Sequence, residues 1–218
     1  MNLAAKDVAQ YLKDHPEFFD QYADVLAQIS IPDPHGGRAV SITERQIGTL
    51  RDQMKRLEGK LGELIRFGEE NDALLGKTHR LVVALVGAPD TAAVLRVLYA
   101  HLGGDYDVPH VAVRLWDVPG DPGSPEFTPM SAEAHNFAAT LQRPYCGVGS
   151  GPDVLAWFGE RGGNVRSLAL VALRRDGRTF GLLALGSEDV QRFYPEMGTL
   201  YLERIGEVAA TALARTLS

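Results

Sequence analysis

Between residues 47 and 85 the sequence repeats with the period of a coiled coil. Apolar or small side chains follow one another there at alternating spacings of three and four, which is a heptad pattern. The members of this heptad stripe are Ile47, Leu50, Met54, Leu57, Leu61, Leu64, Gly68, Asn71, Leu75, Thr78, Val82 and Leu85. The pattern predicts one α-helix about 58 Å long, since each residue adds about 1.5 Å. A small domain cannot cover a helix of that length, so we expect a second copy of the chain to cover it.

The stripe predicts a homodimer interface. We assign to it Ile47, Leu50, Met54, Leu57, Leu61, Leu64, Asn71, Leu75, Val82 and Leu85. A polar residue such as Asn71 on an apolar stripe can fix register and oligomeric state. The apolar face widens at Ile65, Phe67 and Leu74, which is typical of packing in a four-helix bundle. The alternative is a helical hairpin formed within one chain.

Composition narrows the classes of function. The 218 residues carry a net charge of -6, and neither half has an excess of basic residues, so a nucleic-acid partner is not expected. Charges interrupt the N-terminus, and no apolar run approaches the roughly 20 residues that span a bilayer. These features predict a cytoplasmic protein without membrane insertion. The single cysteine, Cys146, excludes an internal disulfide and a zinc site built from several cysteines.

Proline and glycine divide the chain into three predicted segments. Residues 1–38 are expected to form a short helical hairpin, with Pro16 opening its second helix and the run 31–37 ending it. Residues 39–86 form the coiled-coil helix, and residues 87–218 form a globular domain. Whether the hairpin packs on its own chain or on a partner is open.

The third segment predicts an α+β domain with an antiparallel sheet covered by helices. Asp90 is a helix N-cap for residues 91–102, and residues 110–116 alternate as a strand. Helices are expected at 131–141 and 152–158, and a closing helix at 196–217. Two apolar runs, 168–173 and 180–185, are strands joined through Asp176-Gly177, a pair that favours a tight hairpin turn.

Two resemblances follow from these residues. The stretch 167–186, followed by Phe193 and a long amphipathic helix, resembles the last third of GAF domains. The whole chain resembles the domain of unknown function 484 family of proteobacteria. That likeness is carried by the stretch 8–19, Ile31-Pro32, Val40-Ser41, Glu44-Arg45-Gln46, Leu50-Arg51, Asn71-Asp72 and Pro144-Tyr145-Cys146-Gly147. The resemblance implies a GAF-like fold behind a helical N-terminal extension, and it implies no activity.

A ligand pocket is a further expectation, because GAF domains elsewhere bind cyclic nucleotides, tetrapyrroles or small metabolites above the sheet. The candidate lining residues are Trp116, Phe127, Tyr145, Cys146, Trp157 and Phe158, with Arg143 or Arg166 holding an anionic group. Each aromatic residue could equally be part of the core. The cyclic-nucleotide signature is absent, and Gly147 follows Cys146 where bilin-binding domains usually have a histidine. No cofactor is therefore identified.

Catalysis is not expected. Cys146 could serve as a nucleophile only with a base and a lowered pKa, and no histidine is nearer in sequence than His135. The six histidines show no metal-ligand spacing. Gly147, Gly149 and Gly151 lack the lysine of a phosphate-binding loop. We therefore expect a dimeric regulatory or adaptor module with a small-molecule or protein partner. The alternatives are a scaffold with a filled pocket and, less favoured, a cysteine-dependent enzyme.

Overall fold

The structure is a computed structural model that describes residues 4–31, 40–148 and 154–217. The chain forms two compact units, Met1–Glu69 and Glu70–Ser218. Three segments were expected, 1–38, 39–86 and 87–218, whereas the boundary between the two units falls within the long helix, after Glu69. The last turns of the long helix belong to the globular unit, because Leu81 and Leu85 are fully buried in its core.

The first unit begins with three short helices: α1 (Ala5–Asp14), α2 (Glu17–Gln21) and α3 (Ala23–Gln28). The second helix of the expected hairpin is thus interrupted at Tyr22, whose backbone leaves the helical region at φ -124° and ψ 36°. Two strands that the sequence did not indicate, β1 (Ser30–Ile31) and β2 (Val40–Ser41), pair antiparallel. The intervening Pro/Gly-rich residues 32–39 lie outside the described residues.

The heptad stripe lies on one uninterrupted helix, α4 (Ile42–Gly87). Its length agrees with the prediction from the repeat. The stripe does not fold into a helical hairpin, because α4 continues through every one of its positions.

Among its described residues, the globular unit contains three α-helices, two 3₁₀ helices and one sheet besides the end of α4. Its elements are α5 (Thr91–Gly104), β3 (His110–Leu115), a first 3₁₀ helix (Pro125–Phe127), α6 (Ala132–Thr140), β4 (Tyr145–Val148), a second 3₁₀ helix (Val154–Asn164), β5 (Ser167–Arg175), β6 (Arg178–Ser187) and α7 (Leu200–Thr216). Asp90 caps α5 as expected, since its Oδ1 accepts a hydrogen bond from the Ala93 amide at 2.7 Å. Ser131 caps α6 in the same way.

The sheet has the order β3-β6-β5-β4, and every pair is antiparallel. The hairpin between β5 and β6 turns at Asp176 and Gly177, whose φ angles are 50° and 78°. Positive φ at both central residues is the geometry that an Asp-Gly pair favours. The predicted α+β class with an antiparallel sheet covered by helices is confirmed.

Two apolar clusters cover opposite faces of this sheet. The first cluster holds α5, α7 and the end of α4 against residues such as Val113, Ala169 and Leu183. The second cluster holds α6 and the second 3₁₀ helix against residues such as Leu170 and Leu182. Since neighbouring residues of a strand point to opposite faces, each strand contributes to both clusters.

Candidate functional site

The stripe of α4 is exposed within the first unit. The side chains of Ile47, Leu50, Met54, Leu57, Leu61 and Leu64 are between 43% and 66% exposed. Ile65 and Phe67, beside the stripe, are 55% and 49% exposed. Single exposed apolar residues are ordinary on protein surfaces, whereas these residues form one continuous row at heptad spacing.

Within the globular unit the stripe has two different environments. Leu75 is exposed, and Asn71 is exposed while its carbonyl accepts a hydrogen bond from the Tyr201 hydroxyl at 3.2 Å. Leu85, in contrast, is fully buried by its own chain, so it has no surface left for a partner. Val82 is half-buried and lines a 460 Å³ groove between α4 and α7.

The groove between α4 and α7 is mostly apolar. Its lining residues are Val82, Leu85, Val86, Glu207, Val208, Thr211, Ala212 and Arg215. The Arg215 guanidinium donates hydrogen bonds to the carbonyls of Leu85 and Ala88, at 3.2 and 2.7 Å. These bonds satisfy carbonyls at the C-terminal end of α4 and hold α7 against it.

The structure does not gather the predicted ligand-binding residues into one pocket. Trp116, Tyr145, Trp157 and Phe158 are half-buried and pack around the second apolar cluster. Phe127 packs against the first cluster. Much of this aromatic surface therefore serves the core.

The other three predicted residues, Cys146, Arg143 and Arg166, do not belong to the second cluster. Cys146 is buried in the first cluster, on the opposite face of the sheet from its neighbour Tyr145. Arg143 is exposed and lines a groove with Glu203 and Glu207. Arg166 is exposed just before β5 and lines neither this groove nor the groove between α4 and α7.

The environment of Cys146 suppresses thiol chemistry. Its side chain is 8% exposed, and burial raises the pKa of the thiol to about 11. A thiolate is the nucleophilic form of cysteine, and this pKa leaves very little thiolate at neutral pH.

Trp116 and Phe127 nevertheless meet at one cavity of 360 Å³, at the C-terminal end of β3. The cavity is lined by Leu115, Trp116, Asp117, Val118, Gly120, Pro122, Phe127, Thr128, Pro129, Met130 and His135. The ring of His135 contacts Trp116 in a tilted arrangement, with 4.7 Å between ring centroids and 40° between the ring planes.

A buried polar cluster, which no sequence pattern indicated, lies beside this cavity. Glu126, in the first 3₁₀ helix, is only 9% exposed. It accepts hydrogen bonds from the Tyr99 and Ser124 hydroxyls, at 2.7 and 2.5 Å. Burial opposes ionisation of Glu126, but these two bonds and the charge of Arg114 outweigh it, so the pKa of Glu126 lies below its usual value.

Arg114 is the buried basic residue of the same cluster. It is 8% exposed, donates to the Val113 carbonyl at 3.0 Å, and lies over the Trp157 ring at 5.1 Å from the centroid. Burial lowers the pKa of its guanidinium. The sequence contained one signal for this residue, because Arg114 is a charged residue among the apolar residues of the run 111–115.

His110, at the start of β3, is also buried. Its Nε2 makes no hydrogen bond within the described part of the chain, and lies 3.6 Å from Glu188 Oε1.

Among the described residues, no group of three or more His, Cys, Asp or Glu side chains could hold a metal ion. Nor does any helix there have the length and apolar character needed to cross a bilayer.

The fold and its surfaces define an α+β domain with one antiparallel sheet between two helical layers, preceded by a long helix with an exposed apolar stripe. The chain belongs to the family described as Protein of unknown function, DUF484, whose model matches residues 1–218. The resemblance found in the sequence is thereby confirmed.

One relative is similar over nearly the whole chain. The uncharacterized protein YigA of Salmonella typhimurium is 26% identical over 215 residues, which are 95% of this chain and 90% of that protein.

Three solved structures resemble part of the chain. The free methionine-R-sulfoxide reductase of Neisseria meningitidis is 18% identical, with a TM-score of 0.45 over 64% of this chain and 87% of that one. The GAF domain of the potassium sensor histidine kinase KdpD of Escherichia coli is 16% identical, with a TM-score of 0.42 over 64% and 92%. The nlh2 GAF domain of A. aeolicus is 14% identical, with a TM-score of 0.45 over 66% and 98%. At these values nothing is transferred from those proteins to this chain.

Proposed function

We propose that this chain is a non-catalytic cytoplasmic regulatory or adaptor module that acts as a homodimer. The observation that carries the proposal is the exposed row of six apolar residues from Ile47 to Leu64. Fully burying one leucine-sized side chain stabilises a structure by about 1.5–3 kcal/mol. A row of six therefore offers enough stabilisation for a stable pair of helices, even after the entropic cost of association.

A second copy of the chain is the partner that fits the stripe best. Heptad spacing makes a helix self-complementary, because each apolar side chain inserts between four residues of an identical helix. Polar flanking residues such as Lys55 and Glu63, both exposed, leave the apolar surface confined to one side of α4.

The regulatory part of the proposal follows from the continuity of α4. The same helix carries the exposed leucines near its N-terminal end and the fully buried Leu81 and Leu85 near its C-terminal end. A change in packing of the globular core would act directly on Leu81 and Leu85. A helix shared by an interface and a core can transmit such a change between them.

The test compares two double variants that introduce the same residue. Leu57→Gln with Leu61→Gln removes apolar side chains from the stripe, and Lys55→Gln with Glu63→Gln changes exposed flanking positions. Light scattering at micromolar concentration should give twice 23.7 kDa for the parent and the flanking variant, and 23.7 kDa for the stripe variant. A monomeric parent chain, or a stripe variant that remains dimeric, would contradict the proposal.

A scaffold with a filled pocket remains the second candidate. It is favoured by one observation, namely that Trp157 and Phe158 pack into the second apolar cluster. Native mass spectrometry after mild purification distinguishes the two, because a retained small molecule supports ligand sensing and a persistently empty chain supports a scaffold.

A further inference from the structure

The 360 Å³ cavity at the end of β3 has the size of a small-ligand site. Protein pockets that bind small molecules generally measure about 300–1,000 Å³. Its floor is Leu115, which is only 3% exposed, and its walls come from the loop that follows β3 and from α6. Trp116, Phe127 and Met130 are half-buried, so each keeps part of its surface open.

The wall that carries Phe127 is fixed in place. A Cβ at Gly120 would lie 2.0 Å from Cε1 of Phe127, so the ring lies directly against the glycine backbone. Asp121 stabilises the next turn, since its Oδ1 accepts from the Gly123 amide at 3.0 Å. The bonds from Tyr99 and Ser124 to Glu126 hold the residue before Phe127. A wall fixed in this way loses little conformational freedom when a ligand binds.

The lining of this cavity favours positive charge. Aromatic faces attract cations through their quadrupole, tryptophan most strongly, and a methionine thioether is polarizable. Asp117 contributes a carboxylate, and no lysine or arginine is among the described residues that line the cavity. An anionic ligand held by Arg143 or Arg166 is therefore not what this cavity fits, because neither residue lines it.

Asp117 also has an unusual backbone. Its φ of 56° lies in the left-handed region, which costs a residue other than glycine roughly 1 kcal/mol. Aspartate and asparagine tolerate this conformation better than most residues. Asp117 and Val118 also line a neighbouring cavity of 630 Å³, so Asp117 forms part of the wall between the two cavities.

We propose that this cavity binds a small organic cation, with its apolar substituents between Trp116 and Phe127 and its charge near Asp117. The inference goes beyond the proposed function by naming a class of ligand, and it rests on that function only for its regulatory meaning. A cation–aromatic interaction of about 0.5–2 kcal/mol corresponds to a preference of roughly 2- to 30-fold over a neutral ligand of the same shape.

The experiment uses two probes of equal shape. Choline carries a quaternary ammonium, and 3,3-dimethylbutan-1-ol replaces its nitrogen with carbon. Each is titrated into the ¹⁵N-labelled full chain at pH 8, where histidine side chains are generally neutral. The Trp116 indole and Gly120 amide signals should shift saturably, with choline bound about tenfold more tightly than the alcohol.

Two aspartate variants provide the matched control. Asp117→Asn keeps a residue that tolerates positive φ and should weaken choline binding about fivefold, as expected for loss of one charge partner. Asp107→Asn changes another exposed aspartate with positive φ, 53°, which does not line the cavity, and should leave binding unchanged.

Three results would overturn the inference: equal binding of choline and the alcohol, no saturable shift, or an equal loss of binding in Asp107→Asn. Light scattering on the same samples gives the oligomeric state. Failure of the cation site is therefore distinguishable from failure of the proposed dimer.

Discussion

The Tyr99 hydroxyl donates a hydrogen bond of 2.7 Å to Oε1 of the buried Glu126, and so joins α5 to the first 3₁₀ helix. That 3₁₀ helix packs on β3, which is an edge strand of the sheet. Unprotected edge strands can pair with other chains, and proteins commonly cover them with a loop or helix. The Tyr99–Glu126 bond therefore holds the segment that covers this edge.

Replacing Tyr99 with phenylalanine should destabilise the globular unit, and the loss should depend on pH. A hydrogen bond to a charged group contributes about 1.5–3 kcal/mol, so urea unfolding at pH 7 should show a loss of that order. The pKa of Glu126 is lowered in the folded state from a usual value of 4.5. Its ionisation therefore stabilises the fold above pH 4.5, and this contribution is lost as the pH falls through the lowered folded value. The difference between parent and Tyr99→Phe should shrink over that range.

The control for this variant is Tyr194→Phe, since Tyr194 is exposed. It should change the free energy of unfolding by less than about 0.5 kcal/mol at either pH. If both tyrosine variants lose the same stability, or if the loss in Tyr99→Phe is independent of pH down to pH 3, the role assigned to the Tyr99–Glu126 bond is wrong.

Two glycine-to-alanine variants should change stability in opposite directions. Gly206 lies in α7 where the helix approaches β5, and a Cβ there would lie 2.4 Å from Cγ1 of Val171. Gly206→Ala should cost about 1–3 kcal/mol through overpacking, more than the gain in helix propensity. Gly76→Ala in α4 would meet only the flexible Arg80 side chain, at 3.8 Å, and should stabilise by about 0.5–1 kcal/mol. Thermal unfolding followed by circular dichroism measures both, and a stabilised Gly206→Ala would show that α7 does not pack this closely.

Cys146 should be unreactive in the folded chain. Because burial raises its pKa to about 11, alkylation by iodoacetamide at pH 8 should be at least about 100-fold slower in the native protein than in urea. Mass spectrometry reports this one site without ambiguity, since the chain has a single cysteine. Rapid alkylation of the native chain would reopen the possibility of a nucleophilic role.

Periodic and capping signals in the sequence predicted most of the elements. The heptad spacing identified α4, Asp90 marked the start of α5, and Asp176-Gly177 marked the turn between β5 and β6. These signals are local, because each depends on residues only a few positions apart. The closing helix begins at Leu200, four residues later than expected from position 196.

The elements that the sequence patterns did not predict depend on contacts between residues far apart in the chain. The strand β4 is only four residues long and contains Gly147, so its assignment depends on pairing with β5. The helix expected at 152–158 is instead a 3₁₀ segment, Val154–Asn164. This segment is broken at Gly159, whose φ is 64°. Residues 152 and 153 lie outside the described residues. The separation of the predicted pocket residues has the same cause, since alternation along β4 places Tyr145 and Cys146 on opposite faces.

The burial of Leu81 and Leu85 decides where the globular unit can be cut from the rest of the chain. A recombinant fragment that begins at Ala88, as the helix boundary would suggest, would lack two fully buried leucines and leave α5 and α7 with a large apolar cleft. A fragment that begins at Glu70 retains both leucines and corresponds to the second compact unit.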